Sequence, residues 1–184
     1  VIDIEKFLFM YQGSNGTLND HQRAGLADLM NAINNDENVT DIRWIAYMLA
    51  TTKHETAKTW LPIAEYGKGS GRKYGTPDPA TGHTYYGRGY VQLTWAGNYR
   101  SMGIALGIDL YNNPDLAMKP DVAYQIMSRG MRKGSFTGVG LSHYINGDKC
   151  DYRFARKIIN GLDCSDRIAE YAQDIEAILK QCQA

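Results

Sequence analysis

Two acidic residues ten positions apart, Glu55 and Glu65, are the best candidates for chemistry in this chain. Glu55 stands in His54-Glu55-Thr56, at the predicted C-terminal end of a helix whose other face is apolar. A carboxyl group placed there loses part of its hydration, which disfavours the charged form and suits a proton donor. Glu65 follows the apolar run Leu61-Pro62-Ile63-Ala64, at the mouth of a glycine-rich segment. A helix end, a turn and a short return bring two such groups across a groove. Glycosidic hydrolysis uses this pair, one carboxylic acid protonating the leaving oxygen and one carboxylate activating water. The competing metalloprotease reading of His54-Glu55 needs a second His at i+4, where Lys58 stands. With four histidines and no ligand spacing, no metal is expected. The bland alternative makes Glu55 a surface acid and pairs Glu65 with Lys68, Arg72 or Lys73.

The elements that must position these residues are mostly helical. Ile4, Phe7, Leu8 and Tyr11 follow the i, i+3, i+4, i+7 rule of an amphipathic helix. Asn19 or Asp20 caps a second helix with Leu26, Leu29, Met30 and Ile33 on one face. Thr40 and Asp41 open a third, whose stripe of Ile42, Ile45, Ala46, Leu49 and Ala50 carries it to about Glu55. From Trp60 to Gly89 the rhythm dissolves into glycines, aromatics and basic residues, which predicts a loop or small hairpin. A short apolar alternation spans Tyr90 to Thr94. Helices are then predicted near 98–106, 121–133, 152–159 and 166–181.

At 184 residues the chain has room for one domain, and 43% hydrophobic with 22% charged residues excludes disorder. The longest apolar run, Trp44 to Ala50, is far short of the roughly 18 residues of a membrane helix. The start, with Asp3 and Glu5, lacks the basic region of a signal peptide, and Val1 in place of Met predicts a processed chain. Net charge is zero but uneven: residues 53–157 hold 15 Lys and Arg against 8 Asp and Glu, and both ends are acidic. Such a block attracts a polyanion, whether nucleic acid, anionic membrane or carboxylate-bearing wall polymer, unless middle and ends interleave and cancel. Three cysteines, Cys150, Cys164 and Cys182, make no disulfide framework, and reduced thiols are expected.

The string Tyr85-Tyr86-Gly87-Arg88-Gly89-Tyr90-Val91-Gln92-Leu93-Thr94-Trp95, followed by Asn98-Tyr99, closely resembles the glycoside hydrolase family 19 chitinases and the phage endolysins related to them. Further matches lie at Ile159-Asn160-Gly161, Cys164, Asp166-Arg167-Ile168 and Tyr171, so the resemblance runs over residues 46 to 175. It implies a mainly α, lysozyme-like, two-lobed fold over residues 1–184, with the glycine-rich insert lining a cleft. It implies Glu55 as general acid, Glu65 as second carboxylate and Thr94 as holder of the attacking water. Tyr85, Tyr86, Arg88, Gln92, Asn98 and Asn160 are implied as sugar contacts, and Arg167 as part of a supporting charge network.

Tyr90-Val91 stands where chitinases commonly have Pro-Ile, and the disulfide pattern of the plant enzymes is absent. With the Glu55–Glu65 spacing, this makes the endolysin the first expectation: an inverting hydrolase of bacterial peptidoglycan, with carboxyl groups roughly 6.5–9.5 Å apart. No cofactor, no nucleic acid and no stable membrane insertion are implied. A monomer is expected, made in the host cytoplasm and acting at the bacterial cell wall. The alternatives are a chitinase of the same family and a non-catalytic glycan-binding module.

Overall fold

The structure is a computed structural model that describes residues 1–184. Helix α1 (Ile4–Asn15) starts where the Asp3 carboxylate accepts the Lys6 amide. Helix α2 (Asp20–Asn34) opens on a full capping box, Asn19 and Gln22 each bonding the other's backbone N–H. Helix α3 (Ile42–Glu55) begins at Asp41, which accepts the Arg43 amide. Every residue from Ile45 to Lys53 is buried, so α3 is wrapped on all sides by the rest of the molecule. It stops after Glu55 because the chain turns left-handed, with φ of 50° at Ala57 and 65° at Lys58. Thr56 locks that exit, donating to the Thr52 carbonyl and accepting the Trp60 amide.

Helix α7 (Ser165–Gln181) lies along α3 and makes the most extensive helix pair of the fold. Its buried residues Ile168, Ala172, Ile175 and Leu179 recur at helical spacing, as the sequence predicts. Helices α4 (Ala96–Leu106), α5 (Pro120–Lys133) and the single turn α6 (Leu141–Tyr144) complete the helical set. Two small antiparallel pairs remain: β1 (Ile63–Ala64) with β2 (Arg88–Gly89), and β3 (Ile145–Asn146) with β4 (Lys149–Cys150). The buried apolar residues form one contiguous core that takes side chains from Ile2 to Cys182. No helix is long and apolar enough to cross a membrane. All three cysteines are free, Cys182 buried and the other two exposed.

The structure corrects the sequence at two places. Residues 152–159 do not form an α-helix. Phe154–Ile158 winds as a 3-10 turn, which places Ala155 and Ile158 on one buried edge by its threefold repeat. The Tyr90–Thr94 alternation is a tight turn, closed by mutual backbone bonds between Arg88 and Leu93 and by Gln92 at φ 61°. The 3-10 turn Pro114–Met118 and the β3–β4 hairpin carry no strong periodicity and were not anticipated.

Candidate functional site

Glu55 is the last residue of α3, and its side chain is 16% exposed. Its Oε1 accepts a 2.7 Å ionic hydrogen bond from Nη1 of Arg156, while no protein donor reaches its Oε2. Arg156 sits on the 3-10 turn and is almost wholly buried. Its guanidinium is aimed by the Asp163 carbonyl, which accepts from Nε at 3.1 Å, and by the Asp163 carboxylate. The surroundings of Glu55 are therefore not the bare apolar edge that helix periodicity implies. Next to it, His54 is held below the ordinary histidine range, first by burial and then by the nearby Arg156 and Arg167 charges.

Glu65 directly follows β1, and the β1–β2 pairing fixes it. Its backbone N–H donates to the Gly87 carbonyl, and the Gly87 N–H donates back to its Oε1 at 2.9 Å. The Tyr74 hydroxyl donates to Oε2 at 3.1 Å. Both carboxylate oxygens are thus occupied by neutral donors. Tyr74 is brought to Glu65 by a loop that closes on itself. A Cβ on Gly75 would stand 1.9 Å from the Gly69 carbonyl oxygen, so only glycine fits there.

Gln92 is pinned by two bonds from its amide to the carbonyls of Ile63 and Gly89. Thr94 donates to the Gln92 carbonyl at 2.9 Å, and Asn98 donates to the Thr94 carbonyl at 2.8 Å. Gly87 backs this wall: a Cβ there would come within 2.8 Å of Gln92 Oε1 and 3.3 Å of Thr94 Oγ1. Gly87→Ala is therefore expected to push both side chains toward the groove. Displacements of this kind cost about tenfold or more in rate when positioning matters. Turnover assays beside a thermal melt check it, and undiminished turnover would show that the wall is not held from behind.

Glu55, Glu65, Gln92, Thr94, Asn98 and Asn160 all line one open groove of about 660 Å³. Three other expected contacts do not, nor does Arg167 of the expected charge network. Tyr85 is 2% exposed, stacked on Tyr111 with its hydroxyl on the Tyr111 carbonyl, and is a core residue. Arg88 is buried and spent on Asp115, the Thr84 carbonyl and the Tyr99 hydroxyl. Tyr86 covers the Arg88 guanidinium at 3.8 Å and faces a separate depression. Arg167 is exposed on α7 and forms no ion pair, because Arg156 holds the position against Glu55. The groove's aromatic residues are instead Tyr74 and Trp95, packed edge to face, and Phe136. Composition flags the aromatic cluster but not which members face outward.

Behind Glu55, one turn and two turns back along α3, lie Thr51 and Tyr47. Both are fully buried, and neither hydroxyl has a hydrogen-bond partner beyond the other.

The curated relatives of this chain include a basic endochitinase of Vitis vinifera, 39% identical over 94 residues, which are 44% of this chain and 30% of that protein. An inactive chitinase-like protein of Hevea brasiliensis is 41% identical over 88 residues, 40% of this chain and 28% of that one. The chain thus spans about a third of the length of these relatives. Among solved structures, chitinase C from Streptomyces griseus HUT6037 superposes with a TM-score of 0.67 at 24% identity, covering 97% of this chain and 76% of that one. A bacterial family 19 chitinase superposes with a TM-score of 0.65 at 26% identity, covering 97% and 94%. The mainly helical fold expected from the sequence is the fold of these enzymes. Residues 27–128 match the family described as Chitinase class I, a stretch that exceeds half the chain and holds both carboxylates and the Gln92–Asn98 wall, so this chain belongs to that family, glycoside hydrolase family 19.

Proposed function

We propose that this chain is an inverting glycoside hydrolase that cuts β-1,4 bonds between N-acetylated amino sugars. The observation that carries the reading is one groove lined by two carboxyl groups with contrasting settings. Glu55 has one oxygen held by Arg156 and the other without a protein donor. Glu65 has both oxygens engaged by neutral donors, the Gly87 amide and the Tyr74 hydroxyl, which fix its orientation. In the reaction the Glu55 proton passes to the glycosidic oxygen as its bond to the anomeric carbon breaks. A water, held by Thr94 and stripped of its proton by Glu65, forms the new bond from the opposite face. Glu65 then releases its proton to solvent and Glu55 takes one up, which restores both groups.

Family membership alone does not supply activity, since one relative is named inactive. The chain's own pair of carboxylates does the arguing. Chitin oligomers are the first substrate, because the active relatives are named endochitinases. NMR of fresh products from chitotetraose tests the mechanism: the α-anomer appears first, whereas a first-formed β-anomer overturns inversion.

Peptidoglycan, which shares the linkage, is a second reading favoured by one observation. Lys68, Arg72 and Lys73 are all exposed on the loop that delivers Tyr74 to the groove. Arg88 and Arg156, by contrast, are buried in ion pairs and add nothing to the exposed basic surface. Binding to an anionic wall is expected to weaken as the Debye length falls from ~10 Å at 0.1 M salt to ~3 Å at 1 M. Charge reversal at these three loop residues weakens it more than reversal at Lys6 and Lys180. Pull-down of purified walls across a salt series measures this, and equal effects at both sets remove the argument for peptidoglycan.

A further inference from the structure

The groove does not end at Asn98. It shares Leu93, Asn98 and Phe136 with a second, more enclosed recess of about 240 Å³. Asn98, Ser101, Met102 and Ala105 of α4 line it at i, i+3, i+4 and i+7, a single helical face that starts in the groove and continues away from it. Leu93 and Met102 are buried and supply the apolar parts; Asn98, Ser101 and Ser135 supply the polar ones. None of its seven lining residues is charged. The Phe136 wall is built in. Gly130 of α5 has no Cβ, and one placed there would sit 2.2 Å from the Phe136 ring. Alanine would serve the helix better by about 1 kcal/mol, so glycine here trades helix propensity for the seat of that ring.

We propose that this recess receives a neutral, amide-bearing arm projecting from a sugar bound in the groove: the lactyl-alanyl segment carried on the C3 oxygen of a muramic acid residue. This rests on the glycan-hydrolase reading and deepens its peptidoglycan branch. Size argues for it. The recess offers about 240 Å³. An acetamido group, with four non-hydrogen atoms, leaves most of that space empty, whereas the lactyl-alanyl segment has about ten. The chemistry agrees: two methyl groups meet Leu93, Met102 and Phe136, and the amide meets Asn98, Ser101 and Ser135. The absence of charge fits the neutral start of the stem peptide and not its later carboxylates.

Filling the recess tests this. Ser101→Leu with Ala105→Met puts good helix formers at two exposed α4 positions, so folding is retained and checked by thermal melting. The double variant is expected to lose at least tenfold in kcat/KM on peptidoglycan with intact stem peptides and to stay within twofold on chitotetraose. Wild-type protein is expected to favour intact peptidoglycan over amidase-stripped strands by a similar factor. Loss on both substrates, or loss on neither, overturns the proposal. A binding arm separates this from failure of the hydrolase reading: N-acetylmuramyl-L-alanine methylamide, whose alanyl end is neutral as in the intact stem peptide, is titrated into wild-type protein and followed by amide NMR. Shifts at Ser101, Ala105 and Ser135 that disappear in the double variant support the recess even if no glycan is cleaved. Shifts absent from those positions, or equal with N-acetylglucosamine, overturn it.

Discussion

Glu55→Gln leaves a folded protein whose glycan hydrolysis falls about 10²–10⁴-fold, the range that general acid catalysis contributes. The substitution keeps the shape and the Oε1 acceptor for Arg156, and removes only the proton that the leaving oxygen needs. A neutral amide against a buried guanidinium does cost stability, so the melt is expected to drop while remaining cooperative. The decisive comparison is with Glu65→Gln. If Glu55 donates and Glu65 accepts, residual activity in Glu55→Gln loses its alkaline limb and in Glu65→Gln its acidic limb. Half of wild-type activity in a folded Glu55→Gln protein ends the assignment, and exchanged limbs reverse the two roles.

Arg156→Ala is expected to have the second-largest effect, on both stability and rate. The pair it breaks is 3% and 16% exposed, and removing one partner of such a pair leaves a charge without compensation. Breaking buried pairs costs about 3–5 kcal/mol, with the lower end fitting the partial exposure of Glu55. Arg156→Lys separates the two consequences. It retains the positive charge but cannot bond Glu55 and the Asp163 carbonyl together as the planar fork does. Lysine is therefore expected to recover most of the melting temperature and little of kcat, with KM nearly unchanged in both variants. Arg167→Ala, at the exposed position the family resemblance points to, is expected to be close to silent. Should Arg167→Ala be the damaging change, the placement of the supporting charge on Arg156 is wrong.

The contrast between those two arginines shows what a sequence conveys about such a site. The end of α3 was legible because Asp41, the apolar stripe and Glu55 lie within one helix, where period and cap are local. The Gln92–Asn98 wall was legible as a motif for the same reason: its bonds run between near neighbours. Arg156 reaches Glu55 across 101 residues, from a 3-10 turn with too short a period to mark an inward face. The one local trace is a basic pair, Arg156-Lys157, interrupting the apolar residues Ala155 and Ile158. The aromatic residues illustrate a second limit. Tyr74 and Tyr85 are equivalent in composition, yet one bonds Glu65 in the groove and the other stacks in the core. Tyr74 is delivered by the loop that Gly69 and Gly75 close, whereas Tyr85 is fixed by stacking on Tyr111, 26 residues away.

The two buried hydroxyls on α3, which have no partner beyond each other, bear on how much heat the molecule tolerates. A buried polar group without a bond costs about 1–3 kcal/mol relative to an apolar group of the same shape. Tyr47→Phe with Thr51→Val removes both oxygens with little change of volume. For a chain of this size a gain of about 2 kcal/mol raises the melting temperature by about 4–8 °C. The fold thus holds thermal tolerance in reserve along the helix that ends in Glu55, and protein engineers can draw on it without touching either wall of the groove.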